Sequence, residues 1–344
     1  MSEAKPLLEV RDLTVVYTRR LGSFGREKQA LRAVDGVNLD VRGGESVGLV
    51  GESGSGKSTI AQAVERLVPI ESGSIRLDGQ DLGRLKGERL RLLRRSIQMV
   101  FQDPYSSLDP SMVIAASLEE PLKVHGLHKG GPVRPRLVEA VEAVGLRGTD
   151  LDKYPHEFSG GQRQRIAIAR ALICDPKLVV LDEAVSALDV STRAQILQLL
   201  QRLREQRGLA YLFIGHDLAV VRRMSDQIAV MFLGRIVESG PANRVVQSPA
   251  HPYTAALLAS VPDARRRSRP EREVLVTRGD PPDPWNRPCG CVFASRCPFV
   301  MPVCTQEEPP VVEVQGGGTS ACHLHTTGPV LRGNSVLELT STPA

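Results

Sequence analysis

The sequence contains no apolar run long enough to cross a membrane. Its most apolar stretches, residues 178–181 and 228–233, fall far short of the roughly 18–20 residues that a spanning helix needs. The N-terminal residues include acidic side chains and no apolar segment, so no secretory signal is visible. We therefore expect a cytoplasmic protein that meets a membrane only through partners.

An excess of one sign of charge is also missing. The 344 residues carry 44 Lys and Arg against 39 Asp and Glu, a net charge of +5, which is too small an excess to indicate nucleic-acid binding. Hydrophobic residues make up 41% and charged residues 24%, an ordinary globular composition that excludes disorder, collagen and coiled coil as the overall character. The length indicates one large domain with a smaller one, or two domains.

Cysteine is almost absent from the first 288 residues, where Cys174 stands alone and is expected to be a small core residue. The other five cysteines lie close together in the tail, at Cys289, Cys291, Cys297, Cys304 and Cys322. In a reducing compartment such a cluster indicates a metal site before it indicates disulfides.

The last four cysteines are separated by 5, 6 and 17 residues, which matches neither a paired C-x2-C zinc ribbon nor a two-cluster ferredoxin. Four thiolates bind either Zn²⁺ or a [4Fe–4S] cluster, and spacing alone does not separate these; unligated or disulfide-bonded thiols are the remaining alternative. His323 and His325 are candidate substitute ligands, and Cys289 is a spare thiol. We expect the site to act as a structural staple, because the segment has few apolar residues.

The organisation along the chain indicates an α/β core with a helical insertion. Amphipathic periodicity predicts a helix over 191–207 with Ser191 as its N-cap, and a helical insertion from about 87 to 145. The composition changes between residues 250 and 265, where we expect a domain boundary. The Arg-rich residues 264–270 that follow are either a solvated linker or a surface that contacts anionic lipid or a partner protein. Short apolar runs predict strands over 7–17, 36–41, 46–50, 177–181 and 210–214, and a hairpin over 227–237.

A complete phosphate-binding loop occupies residues 51–58, Gly-Glu-Ser-Gly-Ser-Gly-Lys-Ser, between a predicted strand and a predicted helix. Its glycines let the backbone wrap around phosphates, and successive N–H groups and the helix dipole attract the anion. Lys57 reaches the outer phosphates and Ser58 can ligate Mg²⁺. The candidate nucleotide-binding residues of this loop are Gly51, Ser53, Gly54, Gly56, Lys57, Ser58 and Thr59.

Residues 178–183 supply the second half of a nucleotide site, because an apolar strand there delivers two carboxylates at its end. Asp182 can hold Mg²⁺ through water, and Glu183 can polarise the attacking water. A second anion site is indicated where a helix predicted over 163–173 follows Phe158, Ser159, Gly160, Gly161 and Gln162. Since the chain has its own phosphate loop, this second site suits a γ-phosphate that another subunit holds.

These motifs together resemble an ATP-binding-cassette (ABC) ATPase, whose Leu-Ser-Gly-Gly-Gln signature appears here with Phe158 in first place. The resemblance implies an ABC-type P-loop NTPase fold: a RecA-like α/β core with an N-terminal antiparallel β subdomain and an α-helical subdomain, followed here by a small Cys-rich extension. In that family two subunits sandwich two ATP molecules head to tail. Each phosphate loop then faces the other subunit's signature.

The resemblance also implies roles for single residues. Glu183 and the switch histidine His216 are catalytic, and Tyr17 stacks on adenine. Gln102 is the Q-loop residue, which ligates Mg²⁺ together with Ser58 and Asp182. Asp189 of the D-loop joins signature residues 158–162 in contacting the partner's ATP. The chain departs from the family at Ala184, where proline usually follows the catalytic glutamate, so the local turn is expected to be looser.

Residues 100–110, 154–158 and 248–254 and the Cys-rich tail are similar to stretches in ATP-binding subunits of bacterial oligopeptide/dipeptide importers. Phe158 and Val185 resemble the F-type rather than the D-type subunit of such importers. The resemblance implies import of di- or oligopeptides powered by ATP and Mg²⁺, and a [4Fe–4S] cluster on Cys291, Cys297, Cys304 and Cys322, with Zn²⁺ as the alternative. It also implies an ABC ATPase domain over 1–255, with a helical subdomain at about 88–172, and an extension over 256–344.

The partners that this resemblance implies are a second ABC ATPase in a heterodimer, two transmembrane permeases and, indirectly, an extracytoplasmic solute-binding protein, but no nucleic acid. The chain would lie at the cytoplasmic face of the cell membrane. Two alternatives remain open. The importer could carry another solute such as nickel, or the chain could be a soluble cassette protein of DNA repair or translation.

Overall fold

The structure, a computed structural model, describes residues 5–21, 27–103, 107–260, 282–328 and 331–340. The Arg-rich residues 264–270 and residues 104–106 lie outside this part of the chain. The strands are β1 (Leu8–Leu21), β2 (Glu27–Val41), β3 (Ser46–Val50), β4 (Ser72–Leu77), β5 (Gln80–Asp81), β6 (Ile97–Val100), β7 (Leu178–Asp182), β8 (Ala210–Gly215), β9 (Gln227–Phe232), β10 (Arg235–Pro241), β11 (Val311–Glu313) and β12 (Thr319–Ala321).

The α-helices are α1 (Lys57–Val64), α2 (Gly87–Arg95), α3 (Ile114–Val124), α4 (Val133–Ala143), α5 (Gly160–Leu172), α6 (Val190–Arg207), α7 (Leu218–Met224), α8 (Ala242–Gln247), α9 (Pro252–Ser260) and α10 (Pro302–Gln306). None of these described helices combines the length and the hydrophobicity needed to span a bilayer.

The core of the fold is an eight-stranded sheet with the order β11-β12-β10-β9-β3-β8-β7-β6. Its five strands β9, β3, β8, β7 and β6 are parallel, whereas β10, β12 and β11 continue the sheet in antiparallel pairs. Every residue of β3 and β7 is buried, because packed layers cover both faces of a parallel sheet. Continuous apolar runs are therefore the expected sequence of these strands.

Alternate residues of the parallel strands enter two separate hydrophobic clusters. On one face, Val179 and Leu181 pack among residues of the helical part of the chain; on the other, Leu178 and Val180 pack with α1 and a four-stranded antiparallel sheet of order β2-β1-β4-β5. Cys174 is fully buried in the first cluster, which confirms its prediction as a core residue. The predicted α/β core with an antiparallel β subdomain is thus confirmed.

The strands predicted from buried apolar runs agree with the structure within one residue. This holds for 46–50 (β3), 177–181 (β7), 210–214 (β8) and the first strand of the hairpin (β9), whereas its second strand, β10, continues to Pro241, four residues beyond the predicted end at 237. The predictions for the antiparallel sheet are too short, because β1 continues to Leu21 and β2 begins at Glu27. At the outer ends of these strands the cross-strand pairs are polar, as in Arg19 with Gln29, and such residues carry no hydrophobic alternation.

The region predicted as a helical insertion contains α2, α3 and α4, but it also contains strand β6. This strand pairs in parallel with β7, so it is an edge strand of the core sheet rather than a part of a helical unit. Four residues with two buried ends are too few to show a helical or a strand period. The sequence pattern therefore could not separate β6 from its neighbours.

Two helices begin earlier than predicted, because side chains before the predicted starts cap them. Helix α6 begins at Val190 with Asp189, not Ser191, as its N-cap, since the Asp189 carboxylate accepts the backbone N–H groups of Ser191 and Thr192, both at 3.0 Å. Helix α5 begins at Gly160, where Ser159 and Gln162 form a reciprocal capping box.

The C-terminal tail contributes strands to the core sheet. Strand β12 pairs with β10 in antiparallel fashion, and this register places Ser320 opposite Glu238. Glu238 is fully buried and accepts the backbone N–H groups of Ala250 and His251, both at 2.9 Å, while Arg244 forms an ion pair with its carboxylate. The division of the chain at residue 255 remains a prediction.

His251 makes the stability of this junction depend on pH. Burial, together with the nearby His325, lowers the pKa of His251 to about 3. An unfolded histidine titrates near 6.5, so protons favour the unfolded chain below that pH. The free energy of unfolding should be intact above about pH 6.5 and fall as the pH drops towards 3, by about 2 kcal/mol at pH 5.

Denaturant unfolding at pH 7.5 and pH 5 tests this prediction in His251→Asn, whose amide oxygen can replace Nδ1 as acceptor for the Tyr253 N–H. The variant should lose about 2 kcal/mol less than the wild type between the two pH values. His156→Asn, at an exposed histidine, should keep the wild-type dependence. Equal losses in all three proteins would contradict the prediction.

Candidate active site

The predicted phosphate-binding loop joins the end of β3 to the start of α1. Its close packing requires glycine at two positions. A Cβ atom on Gly51 would lie 2.1 Å from the Met231 carbonyl oxygen, and one on Gly56 would lie 2.1 Å from that of Ala33. Gly56 also has a φ of 103°, a left-handed conformation that disfavours other residues, and it is the N-cap of α1. The loop is therefore fixed against the neighbouring strands.

Lys57 places a buried ammonium group inside this loop. Its Nζ donates to the carbonyl oxygens of Gly51 at 2.9 Å and Glu52 at 2.8 Å, and to Ser55 Oγ at 3.3 Å. Burial lowers the pKa of Lys57, whereas the charges of Glu183, Asp182 and Glu52 act in the opposite direction. A cation held beside a helix N-terminus can attract a phosphate group.

The second half of the site lies at the end of β7. Asp182 accepts a hydrogen bond from Ser58 Oγ at 3.1 Å, and burial raises the pKa of Asp182. This hydroxyl and carboxylate are oxygen ligands of the kind that Mg²⁺ prefers. Glu183 follows Asp182 and has a φ of 47°. Its backbone N–H donates a hydrogen bond to the Ile214 carbonyl, and the N–H and hydroxyl of Ser186 both donate to the Glu183 carbonyl, which holds this conformation.

Three side chains from adjacent strand ends meet at the Glu183 carboxylate. Gln102 Nε2 donates to Oε2 at 3.1 Å, and His216 Nδ1 lies 3.4 Å from the same oxygen. Gln102 follows β6, Glu183 follows β7 and His216 follows β8, and these strands are neighbours in the parallel sheet. A carboxylate in this position, beside a lysine and a histidine, can accept a proton from a water molecule.

One cleft of about 850 Å³ brings these groups together. Tyr17 also lines it, with its hydroxyl 3.5 Å from Gln62 Oε1, and Asp182 lies behind Ser58. The predicted residues that line the cleft are Tyr17, Gly51, Ser53, Gly54, Gly56, Lys57, Ser58, Thr59, Gln102, Glu183 and His216.

The signature and D-loop residues lie elsewhere. In the part of the chain that the structure describes, none of residues 158–162 and Asp189 lines the cleft that contains Lys57. Ser159 caps α5 and Asp189 caps α6, and a Cβ atom on Gly161 would lie 2.3 Å from Thr192 Cγ2, so the two helix starts are packed together. Hydrogen bonds from Thr192 and Ser191 hold the pKa of Asp189 well below its usual range.

The predicted metal centre is not borne out by the placement of its residues. Across the described ranges, no group of three or more His, Cys, Asp and Glu side chains is arranged to hold a metal ion. The four predicted ligands are nevertheless all buried, and burial and the proximity of the other three thiols raise the pKa of Cys322. Cys289 is exposed, and the ring Nε2 atoms of His323 and His325 lie 3.0 and 2.8 Å from backbone carbonyl oxygens.

Sequence patterns did not identify the part of the cleft that comes from the C-terminal tail. Leu257, Ser260, Pro284 and Arg287 line it beside the phosphate loop. Arg287 reaches the cleft through its ion pair with Asp35, at 2.7 Å. No local motif links residues so far apart in the chain, so only the tertiary structure reveals this contribution.

Comparison with known proteins identifies two regions of the chain. The sequence model of the family described as "ABC transporter" matches residues 34–186, and that of "Oligopeptide/dipeptide transporter, C-terminal region" matches residues 237–304. The chain is 44% identical over 321 residues to the oligopeptide transport ATP-binding protein AppF of Bacillus subtilis, covering 93% of this chain and 98% of AppF.

Two further relatives and a solved structure agree with this finding. A putative peptide import ATP-binding protein of Brucella abortus is 49% identical over 86% of this chain and 87% of its own. The glutathione import ATP-binding protein GsiA of Salmonella typhimurium is 51% identical over 79% of this chain but 44% of its own length. The ATP-binding cassette MJ0796, in a dimeric post-hydrolysis state bound to ADP and Pi, aligns with a TM-score of 0.59 and 30% identity over 68% of this chain and 98% of that chain.

Proposed function

The chain belongs to the ABC transporter family of ATP-binding cassettes, and from this premise we propose that it is the ATP-hydrolysing subunit of an importer of di- and oligopeptides. The observation that carries the proposal is the set of contacts around one cleft. The Ser58 hydroxyl donates a hydrogen bond to the Asp182 carboxylate, and the side chains of Gln102 and His216 both contact the Glu183 carboxylate. The relatives' names, which describe oligopeptide, peptide and glutathione import, support the cargo class.

In the proposed mechanism, the phosphate loop and Lys57 bind the outer phosphates of ATP, and Tyr17 stacks on adenine. Mg²⁺, when bound, neutralises developing charge on the phosphates; Ser58, Asp182 and Gln102 would hold it. Glu183 accepts a proton from the attacking water, and His216 contacts the γ-phosphate. The His216 contact with Glu183 at 3.4 Å supports a shared task for these two side chains.

We propose that residues 158–162 and Asp189 complete the ATP site of a second cassette. They lie at the packed starts of α5 and α6, and among the described residues they do not line the cleft that contains Lys57. Two backbone glycines and a serine at a helix N-terminus suit a phosphate group. The sequence similarity to F-type subunits favours a heterodimer, which would dock at the cytoplasmic face of two membrane permeases supplied by a solute-binding protein.

Replacing Glu183 separates binding from hydrolysis. Glu183→Gln should keep the affinity for Mg-ATP near that of the wild type and slow turnover roughly 10²–10⁴-fold, because the amide cannot accept the proton. Lys57→Ala should instead weaken ATP binding itself, and Glu139→Gln, at an exposed glutamate on α4, should change neither quantity. Equilibrium nucleotide binding and phosphate release measure the two effects; near-normal turnover in Glu183→Gln would overturn the assignment.

Affinity capture from native membranes tests the importer and its subunits. The tagged chain, gently solubilised and analysed by mass spectrometry, should recover two polytopic permeases and a second cassette of different sequence. Recovery of the tagged cassette alone with the permeases would indicate a homodimer. Recovery only from the soluble fraction, with ribosomal or DNA-repair proteins, would leave the ATPase standing but overturn the transport function.

We also propose that Cys291, Cys297, Cys304 and Cys322 bind a [4Fe–4S] cluster, with zinc as the alternative. The burial of all four thiols and the backbone hydrogen bond from the Cys291 N–H to the Cys304 carbonyl, at 2.8 Å, support a shared ligand set. The thiols of the described residues are not grouped around one point here, so the proposal requires them to come together around the bound metal. A bound metal would deprotonate the thiols and join segments that have little core of their own.

Metal analysis of the chain purified without oxygen tests this ligand set. We expect about four irons and four sulfides per chain with visible absorption, or about one zinc ion if zinc is the occupant. Cys304→Ser should lower the metal content, whereas Cys289→Ser, at the exposed thiol, should leave it unchanged. A folded wild-type chain without iron or zinc would contradict the proposal.

A further inference from the structure

Glu52 places a carboxylate in the loop that is proposed to bind a polyphosphate. It is the second residue of the phosphate loop, its carbonyl accepts from Lys57 Nζ at 2.8 Å, and it lines the same cleft. A negative charge at this position repels an anion, and the repulsion is strong where solvent is partly excluded. The loop therefore needs a compensating positive charge besides that of Lys57.

Arg296 supplies that charge from the C-terminal tail. Its Nη1 atom lies 2.9 and 2.8 Å from the two carboxylate oxygens of Glu52, although the two residues are 244 positions apart. The Arg296 side chain is only 9% exposed, compared with 32% for Glu52. The cation is thus nearly enclosed by protein while the carboxylate faces the cleft, so solvent screens this pair less than a surface pair.

Two neighbouring aromatic rings help to fix the position of the guanidinium. The central carbon of Arg296 lies 5.9 Å from the ring centroid of Phe232, at the end of β9, and 6.0 Å from that of Phe293 in the tail. The two rings contact each other edge to face, with centroids 5.4 Å apart. Such contacts favour a cation over the rings and restrict the rotamers of the arginine.

A second bond from the same region holds the backbone of the loop. The Glu52 N–H donates to the Tyr253 hydroxyl at 2.8 Å, and the fully buried ring of Tyr253 packs against Phe232 and Phe293. The aromatic cluster therefore supports both the backbone and the side chain of Glu52. It connects the phosphate loop to the segment that carries Cys291 and Cys297.

We propose that Arg296 is a positioning residue of the ATP site, which neutralises and orients Glu52 so that the phosphate loop accepts the charge of ATP. This inference rests on the proposed function of the loop as the ATP site. It gives the tail a direct part in nucleotide binding that does not depend on what the cysteines hold.

Equilibrium Mg-ATP binding to the full-length chain tests the proposal. Arg296→Gln should weaken ATP binding about tenfold or more, because Glu52 is left uncompensated beside the phosphates, and the defect should shrink as the salt concentration rises. Adding Glu52→Gln to this variant should restore most of the affinity. Arg296→Lys should retain more affinity than Arg296→Gln. Arg134→Gln, which breaks an exposed pair with Asp152, is the matched control and should change nothing.

Glu52→Gln in the presence of Arg296 provides a test that does not depend on the folding of the arginine variants. If the role is electrostatic, this variant binds ATP at least as tightly as the wild type. Weaker ATP binding by Glu52→Gln would overturn the proposal. A double variant that binds ATP as weakly as Arg296→Gln would show that Arg296 serves only to pack the tail, and it would overturn the proposal too. Unchanged affinity in Arg296→Gln would also overturn it.

The same measurement separates this inference from the proposed function. A wild-type chain that binds no ATP would mean that the proposed function itself fails. Wild-type binding that is lost in Lys57→Ala but unaffected in Arg296→Gln would leave the ATP site in place and remove only the role of Arg296.

Discussion

The candidate site depends on the parallel pairing of four neighbouring strands. In parallel strands the carboxyl ends lie on one edge of the sheet, so whatever follows β3, β8, β7 and β6 is brought to that edge. The phosphate loop, His216, Glu183 and Gln102 come from these four ends. The parallel pairing of these strands places Gln102 and His216 beside Glu183, with contacts of 3.1 and 3.4 Å to its carboxylate.

The same constraint explains which parts of the molecule were predictable from the sequence. Buried strands are continuous apolar runs, and the loops at their ends carry residue types that phosphate and Mg²⁺ chemistry require, so the strands and the site motifs could both be predicted. Strand β6 and the outer residues of β1 and β2 could not, because a four-residue strand has no measurable period and polar cross-strand pairs leave no hydrophobic alternation. The cap at Asp189 was missed because Ser191 is an equally suitable residue type, and only geometry distinguishes them.

The tail was the least predictable part, since long-range charge pairs rather than periodic hydrophobic contacts hold much of it in place. The Asp35 carboxylate on β2 forms ion pairs with Arg287 of the tail and with Arg235 of β10. Arg235 also forms an ion pair with Glu308. Nearby, the Arg19 guanidinium lies 4.0 Å from the ring centroid of Trp285. Burial lowers the pKa of Arg287, whereas its ion pair with Asp35 and the nearby charge of Glu308 act in the opposite direction, so these charges are sheltered and specific. Pairs of this kind have no sequence signature.

These tail contacts also hold and line the cleft. Arg287 lines the cleft and pairs with Asp35 of the antiparallel sheet, and Arg296 reaches the phosphate loop beside the cluster of Phe232, Tyr253 and Phe293. The loop is therefore held from two directions, by backbone packing against Ala33 and Met231 and by side chains of the tail. A loop held in this way needs little reordering when it meets its ligand, which lowers the entropic cost of binding. Removing the tail should consequently weaken nucleotide binding even though every residue of the phosphate-loop motif remains.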